Sequence, residues 1–139
     1  METAASVLQK LGSEKVWVVH GCGFDEVTIT GKTQVAALEN GEIRQFEIGP
    51  EDFGFSVQPE SEIAGGDAAF NARALRNVLS GEKSAYRDMV IMNAACSFVV
   101  ADKAGDLEEG IKLASSSIDN GDAQKTLEKL VEVSNRGVA

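Results

Sequence analysis

Histidine occurs once and cysteine twice in this chain of 139 residues, and basic residues number 13 against 22 acids. Each scarcity closes off a class of function. Cys22 and Cys96 lie far apart without a Cys-x-x-Cys spacing, and with His20 they are too few for a zinc site. The formal net charge of −9 excludes nucleic acid and anionic membrane as expected partners, because phosphate binding needs basic surface. The longest apolar run, Met89 to Ala101, is interrupted by Asn93 and Ser97 and is too short to span roughly 30 Å of hydrocarbon. The amino terminus has neither the basic start nor the apolar stretch of a signal peptide, and no glycine loop of the P-loop or dinucleotide type is present. A reduced, cytoplasmic chain is expected, one that meets any anionic ligand through a cation.

With 43% hydrophobic and 25% charged residues, the chain has the balance of one globular domain. At this length a folded chain hides roughly two-thirds of its unfolded surface, so neither disulfide nor structural metal is required. Ala4, Val7, Leu8 and Leu11 at helical spacing, stopped by Gly12, predict an opening helix. Lys15 to His20 is a β-branched and aromatic run that reads as a strand covered on both faces, as in a parallel sheet. Thr33 to Leu38 and Glu42 to Ile48 flank Asn40-Gly41, a strong hairpin signal, with Val35 expected opposite Phe46 and Leu38 opposite Ile43.

After Pro50 the pattern turns to helices. Asp67 is placed to cap one carrying Phe70, Ala74, Leu75, Val78 and Leu79; Ser84 or Tyr86 opens a second, apolar nearly all round, through Ala101. Asp106 caps a third with Leu107, Ile111, Ala114 and Ile118 inward, and Asn120-Gly121 precedes a last helix using Ala123, Leu127, Leu130 and Val131. The expected class is α/β: one buried strand, a hairpin and about five helices. A doubly covered parallel strand needs strand neighbours, and the chain supplies only one such run, so residues 1–139 read as a single partial α/β domain.

Ligands of open α/β sheets collect at the carboxyl ends of strands, which points to His20 to Thr30. Asp25 and Glu26 there are hard oxygen donors suited to Mg²⁺. The plainer reading is a solvated acid pair, like Glu51-Asp52 or Glu108-Glu109, the last explained by a helix dipole. His20 is either a ligand contact or a neutral residue bonded to backbone. Cys22 reads as an incidental thiol, Asn93 as a satisfied buried amide fixing helix register, and Gly65-Gly66-Asp67 as a turn and cap rather than a phosphate site, since the aspartate repels an anion.

Val18-Val19-His20-Gly21, Gly23-Phe24-Asp25-Glu26-Val27-Thr28, Pro50-Glu51-Asp52-Phe53-Gly54, Gly65-Gly66-Asp67 with Asn71-Ala72, Tyr86-Arg87-Asp88, Asn93-Ala94-Ala95 and Ile118-Asp119-Asn120-Gly121 resemble, in order and spacing, the carboxyl-terminal part of the anthranilate phosphoribosyltransferases. The resemblance implies the carboxyl-terminal portion of a phosphoribosyltransferase and nucleoside-phosphorylase-like α/β domain. It implies transfer of the phosphoribosyl group from phosphoribosyl pyrophosphate to anthranilate in tryptophan biosynthesis, with Mg²⁺ held by Asp25 and Glu26, by an enzyme that is a homodimer when complete. It also implies that a helical domain, the pyrophosphate loop and the anthranilate-binding groups precede this segment, so the chain alone is expected to be inactive, as a fragment or truncated product. The family loop is one residue longer, Cys22 standing for two residues; Ile29 replaces a small hydroxyl residue and Lys32 a proline. The alternative is a non-catalytic binding or oligomeric interaction module on the same scaffold.

Overall fold

The computed structural model describes residues 1–136. A helix α1 (Glu2–Lys10) leads into strands β1 (Val16–Gly21), β2 (Thr33–Glu39) and β3 (Glu42–Ile48). Helices α2 (Ala68–Leu79), α3 (Ala85–Val100), α4 (Leu107–Asp119) and α5 (Asp122–Ser134) follow, after short 3-10 turns at Pro50–Phe53 and Glu60–Glu62.

The three strands form one antiparallel sheet in the order β1-β2-β3. Asn40 and Gly41 close the β2–β3 hairpin with φ of 52° and 80°, the left-handed pair a two-residue hairpin turn demands. Val35 pairs with Phe46 and Leu38 with Ile43, as their alternation predicts. Side chains of opposite parity pack against the two layers. Val35 and Ala37 join Val27, Ile29, Phe53, Met92, Ala95 and Cys96 in the principal core beneath α3. Ala36 and Leu38 are buried on the other face, where α1 lies with its buried Ala5.

One expectation is corrected. The Val16–Val19 run is not a parallel strand buried on both faces. It pairs antiparallel with β2, Val18 opposite Ala36 and Val19 opposite Val35, and its four residues are half-buried. A β-branched run carries no mark of the direction of its neighbour, so composition alone cannot tell the two arrangements apart. Among the described residues the other edge of β1 is unpaired. Beside it runs a groove of about 380 Å³ between Trp17 and Val19 on the strand and Cys96 and Val100 on α3.

The helix caps sit where side-chain chemistry requires. Asp67, Ser84 and Asp106 accept from the backbone N–H of Phe70, Arg87 and Glu109 respectively, and each such cap is worth about 1 kcal/mol. The α3 helix is central, burying Ile91, Met92, Ala95 and Cys96. It crosses α4 closely because Gly110 has no side chain, a Cβ there falling 2.8 Å from the Ala95 carbonyl. The outer helices depart from expectation. Of the apolar face of α2 only Val78 is buried, while Phe70 and Leu75 are exposed; on α5 Leu130 and Val131 are exposed. Periodicity marks which face of a helix is apolar, not whether anything covers it.

Candidate functional site

The loop after β1 owes its shape to a few short interactions. Gly21 and Phe24 exchange backbone hydrogen bonds, N–H to carbonyl at 2.9 Å in both directions. Between them Cys22 and Gly23 take φ of 49° and 94°. This is again a two-residue turn with both φ positive, tight enough to close the loop without an extra residue. Cys22 adopts that conformation despite its Cβ, and its thiol donates to the Lys32 carbonyl at 3.2 Å. The chain therefore folds back at once and delivers Asp25 and Glu26 just beyond the carboxyl end of β1.

Behind the acids the backbone is anchored. Val27, Thr28 and Ile29 are buried. Thr28 N–H donates to Thr33 Oγ1 at 3.0 Å, Thr30 N–H donates to Thr28 Oγ1 at 3.1 Å, and the Ile29 carbonyl accepts from Gln58 N–H at 3.0 Å. Gly21 leaves room for this return: a Cβ on it would lie 2.6 Å from the Glu26 carbonyl oxygen and 2.8 Å from the Thr28 methyl. The reading of the sequence places no such close approach at Gly21. A lone glycine at a strand end is the available signal for it.

Asp25 and Glu26 are both exposed, and neither carboxylate has a hydrogen-bond or ion-pair partner among the described residues. In each of the other acid pairs at least one carboxylate is engaged, Glu51 alone of the four having no such partner among the described residues. Asp52 accepts from Gly49 N–H at 2.7 Å, Glu109 accepts from Gly105 N–H at 2.8 Å, and Glu108 pairs with Lys112 at 2.6 Å. Two adjacent carboxylates with no protein partner, on a rigid support, offer the donor chemistry of a Mg²⁺ site that uses one or two carboxylates and leaves its remaining positions to water or phosphate. No cluster of three or more metal-ligating side chains occurs among the described residues, so a cation here would rely on other donors for most of its shell.

The remaining candidates separate clearly. His20 is exposed and makes no side-chain hydrogen bond among the described residues, so the backbone-bonded histidine is not found. Gly65-Gly66-Asp67 is a turn and cap as expected: the Asn71 carboxamide accepts from Gly66 N–H and donates to its carbonyl, and Asp67 accepts from Phe70 N–H. Asn93 is satisfied as expected but only half-buried, and its principal partner is Val27 of the acid loop rather than a neighbouring helix.

The two thiols differ sharply. Burial pushes Cys96 up to about 12, leaving almost no thiolate at neutral pH, whereas Cys22 is exposed. Iodoacetamide on the native chain is therefore expected to give one adduct by mass spectrometry, on Cys22. A second native adduct on Cys96 would mean that the core under α3 opens.

A family model described as the glycosyl transferase family, a/b domain, matches residues 1–124. The chain belongs to this family. It is 56% identical over 131 residues to anthranilate phosphoribosyltransferase of Rhizobium rhizogenes, a match that covers 94% of this chain and 39% of that protein. Among solved structures, anthranilate phosphoribosyltransferase from Thermus thermophilus superposes with a TM-score of 0.83 at 33% identity, covering 92% of this chain and 38% of that one. The Saccharomyces cerevisiae enzyme in complex with PRPP and Mg superposes with a TM-score of 0.75 at 31% identity over 82% of this chain and 33% of that one. The chain spans about two-fifths of the length of the relatives it matches. Among the described residues no helix is long and apolar enough to cross a membrane.

Proposed function

We propose that the chain supplies the magnesium-holding acid pair, Asp25 and Glu26, of a phosphoribosyl transfer from phosphoribosyl pyrophosphate to anthranilate. The observation that carries this reading is the pair of exposed, partnerless carboxylates on an anchored loop, in a chain more than half identical to named anthranilate phosphoribosyltransferases. Mg²⁺ held there would neutralise charge developing on the departing pyrophosphate. The role of this chain's residues is narrower: the carboxylates fix the cation, and the buried Val27–Ile29 segment keeps them from swinging. The pyrophosphate loop, the anthranilate-binding groups and the helical domain belong to the part of the relatives' length that this chain does not span, and residues 1–139 form one partial α/β domain. The complete assembly is a homodimer in the cytoplasm, working in tryptophan biosynthesis.

The test joins this chain behind the matching preceding part of the Thermus thermophilus relative. Asp25→Asn and Glu26→Gln keep shape but remove charge, so both are expected to raise the Mg²⁺ concentration needed for activity and to lower turnover. The melting temperature should barely move, since exposed loop changes usually shift stability by about 0.5 kcal/mol or less. Glu51→Gln is the control. Three amides behaving alike, or loop variants fully active at low magnesium, would remove the metal assignment.

A further inference from the structure

Three hydrogen bonds converge on one carboxamide beneath the acid loop. Asn93 Oδ1 accepts from Val27 N–H at 3.0 Å, while its Nδ2 donates to the Val27 carbonyl at 2.7 Å and to the Met89 carbonyl at 2.9 Å. Both amide protons are spent, and the placement of oxygen and nitrogen follows from the partners, because a carbonyl only accepts. Engaging the N–H and C=O of a single residue is what a neighbouring strand does; here a helix supplies it from 66 positions away. Val27 directly follows Glu26, so α3 grips the peptide that carries the acid pair. On the other side of that peptide, the absent side chain of Gly21 admits the Glu26 carbonyl at a distance no Cβ would allow.

We infer that Asn93 is a positioning residue for the metal-holding carboxylates, setting where Asp25 and Glu26 stand without touching the ion. The inference rests on the magnesium reading of Asp25 and Glu26. Acids on an unanchored loop would have to be ordered by each cation they bind, and a loop already held by α3 carries less of that entropic cost. The chemistry of the clasp is selective. Asn93→Asp has the same shape but no amide donors, and its charge would face the Val27 and Met89 carbonyls. Asn93→Leu fills the volume and makes none of the three bonds.

The experiment uses the 139-residue chain and Mn²⁺, a paramagnetic stand-in for Mg²⁺, with NMR line broadening read residue by residue. In the unmodified chain the Asp25 and Glu26 amides are expected to broaden at lower Mn²⁺ than Glu51 and Asp52. Asn93→Asp and Asn93→Leu should raise the Mn²⁺ needed at the loop about tenfold, the scale on which outer partners of metal ligands act, and leave Glu51-Asp52 unmoved. Gly21→Ala perturbs the same peptide from the opposite side and should act in the same direction. Ile91→Val, a change where α3 packs Ile91 against Val78, Ala114 and Ile118, should lower the melting temperature without changing the loop's Mn²⁺ requirement. Asn93 variants that bind Mn²⁺ at the loop like the parent overturn the positioning role and leave the metal reading standing. An Ile91→Val chain weakened at the loop as much as the Asn93 variants assigns the effect to general loosening and overturns it too. A parent loop no more sensitive than Glu51-Asp52 removes the metal reading and this role together.

Discussion

Assayed with anthranilate, phosphoribosyl pyrophosphate and Mg²⁺, the 139-residue chain is expected to give no turnover. Holding two reactants in register contributes about 7–11 kcal/mol of a bimolecular barrier, and it needs groups that grip both. The described residues offer two partnerless carboxylates at the end of β1, while before α2 both backbone groups of Gly66 are taken by Asn71 and the following Asp67 caps the helix. An acid pair by itself can hold a cation but cannot orient anthranilate against a ribose. Activity is expected to appear only when the chain is fused behind the matching part of a relative, and there to depend on Asp25 and Glu26. Turnover by the unfused chain that survived repurification and vanished in Asp25→Asn would overturn the division of labour proposed above.

The candidate site is legible in the sequence to the extent that its logic is local. Two acids after a strand end are visible as letters, and so are the caps Asp67 and Asp106, because a cap and the N–H it satisfies lie within three residues; the start of α3 stays open between Ser84 and Tyr86 until the structure caps it with Ser84. Asn40-Gly41 is legible for the same reason. What supports the acids is not local. The partner of Asn93 is Val27, and the reason for Gly21 is the return of the Glu26 carbonyl; neither can be read before the fold brings the segments together. An interior asparagine announces that it must be satisfied, but not by whom.

The pattern of errors has the same origin. The Lys15–His20 run is legible as a strand and as apolar, yet its half-burial and antiparallel partner depend on what lies at its edges. The outward apolar residues of α2 and α5 show the converse case. Phe70, Leu75, Leu130 and Val131 obey helical periodicity as faithfully as Ala114 and Ile118, which are buried. The difference is position: α4 packs extensively along α3, whereas α2 and α5 pack only lightly against α4 and against each other.

Asp119→Ala is expected to be among the most damaging single changes to stability, through a pair no periodicity reveals. Arg87, in the first turn of α3, has a side chain only 5% exposed, and its Nη2 donates to Asp119 Oδ1 at 2.7 Å, at the far end of α4. Among the described residues Arg87 Nε is buried without a partner, so this guanidinium already carries part of its desolvation cost uncompensated. Removing the aspartate leaves a buried, unpaired cation, and breaking a buried pair this way costs about 3–5 kcal/mol. The Asp119 side chain is 50% exposed, so water can enter the vacated space, and Lys83 at 3.9 Å is too far to matter greatly. The expected loss is therefore near the lower end, about 3 kcal/mol, read as a melting temperature lower by roughly 10 °C for a chain of this size. Arg87→Met should cost much less, about 1 kcal/mol, because it keeps the apolar stem and removes both the charge and the orphan N–H. In the double variant Asp119→Ala should then add almost nothing, since the charge it exposes is gone. If Arg87→Met proved the worse of the two single changes, the ion pair would be a net source of stability and the desolvation argument would be wrong. If both were silent, the crossing of α3 and α4 would rest on the Gly110–Ala95 approach and the apolar contacts of Ile91 with Ala114 and Ile118.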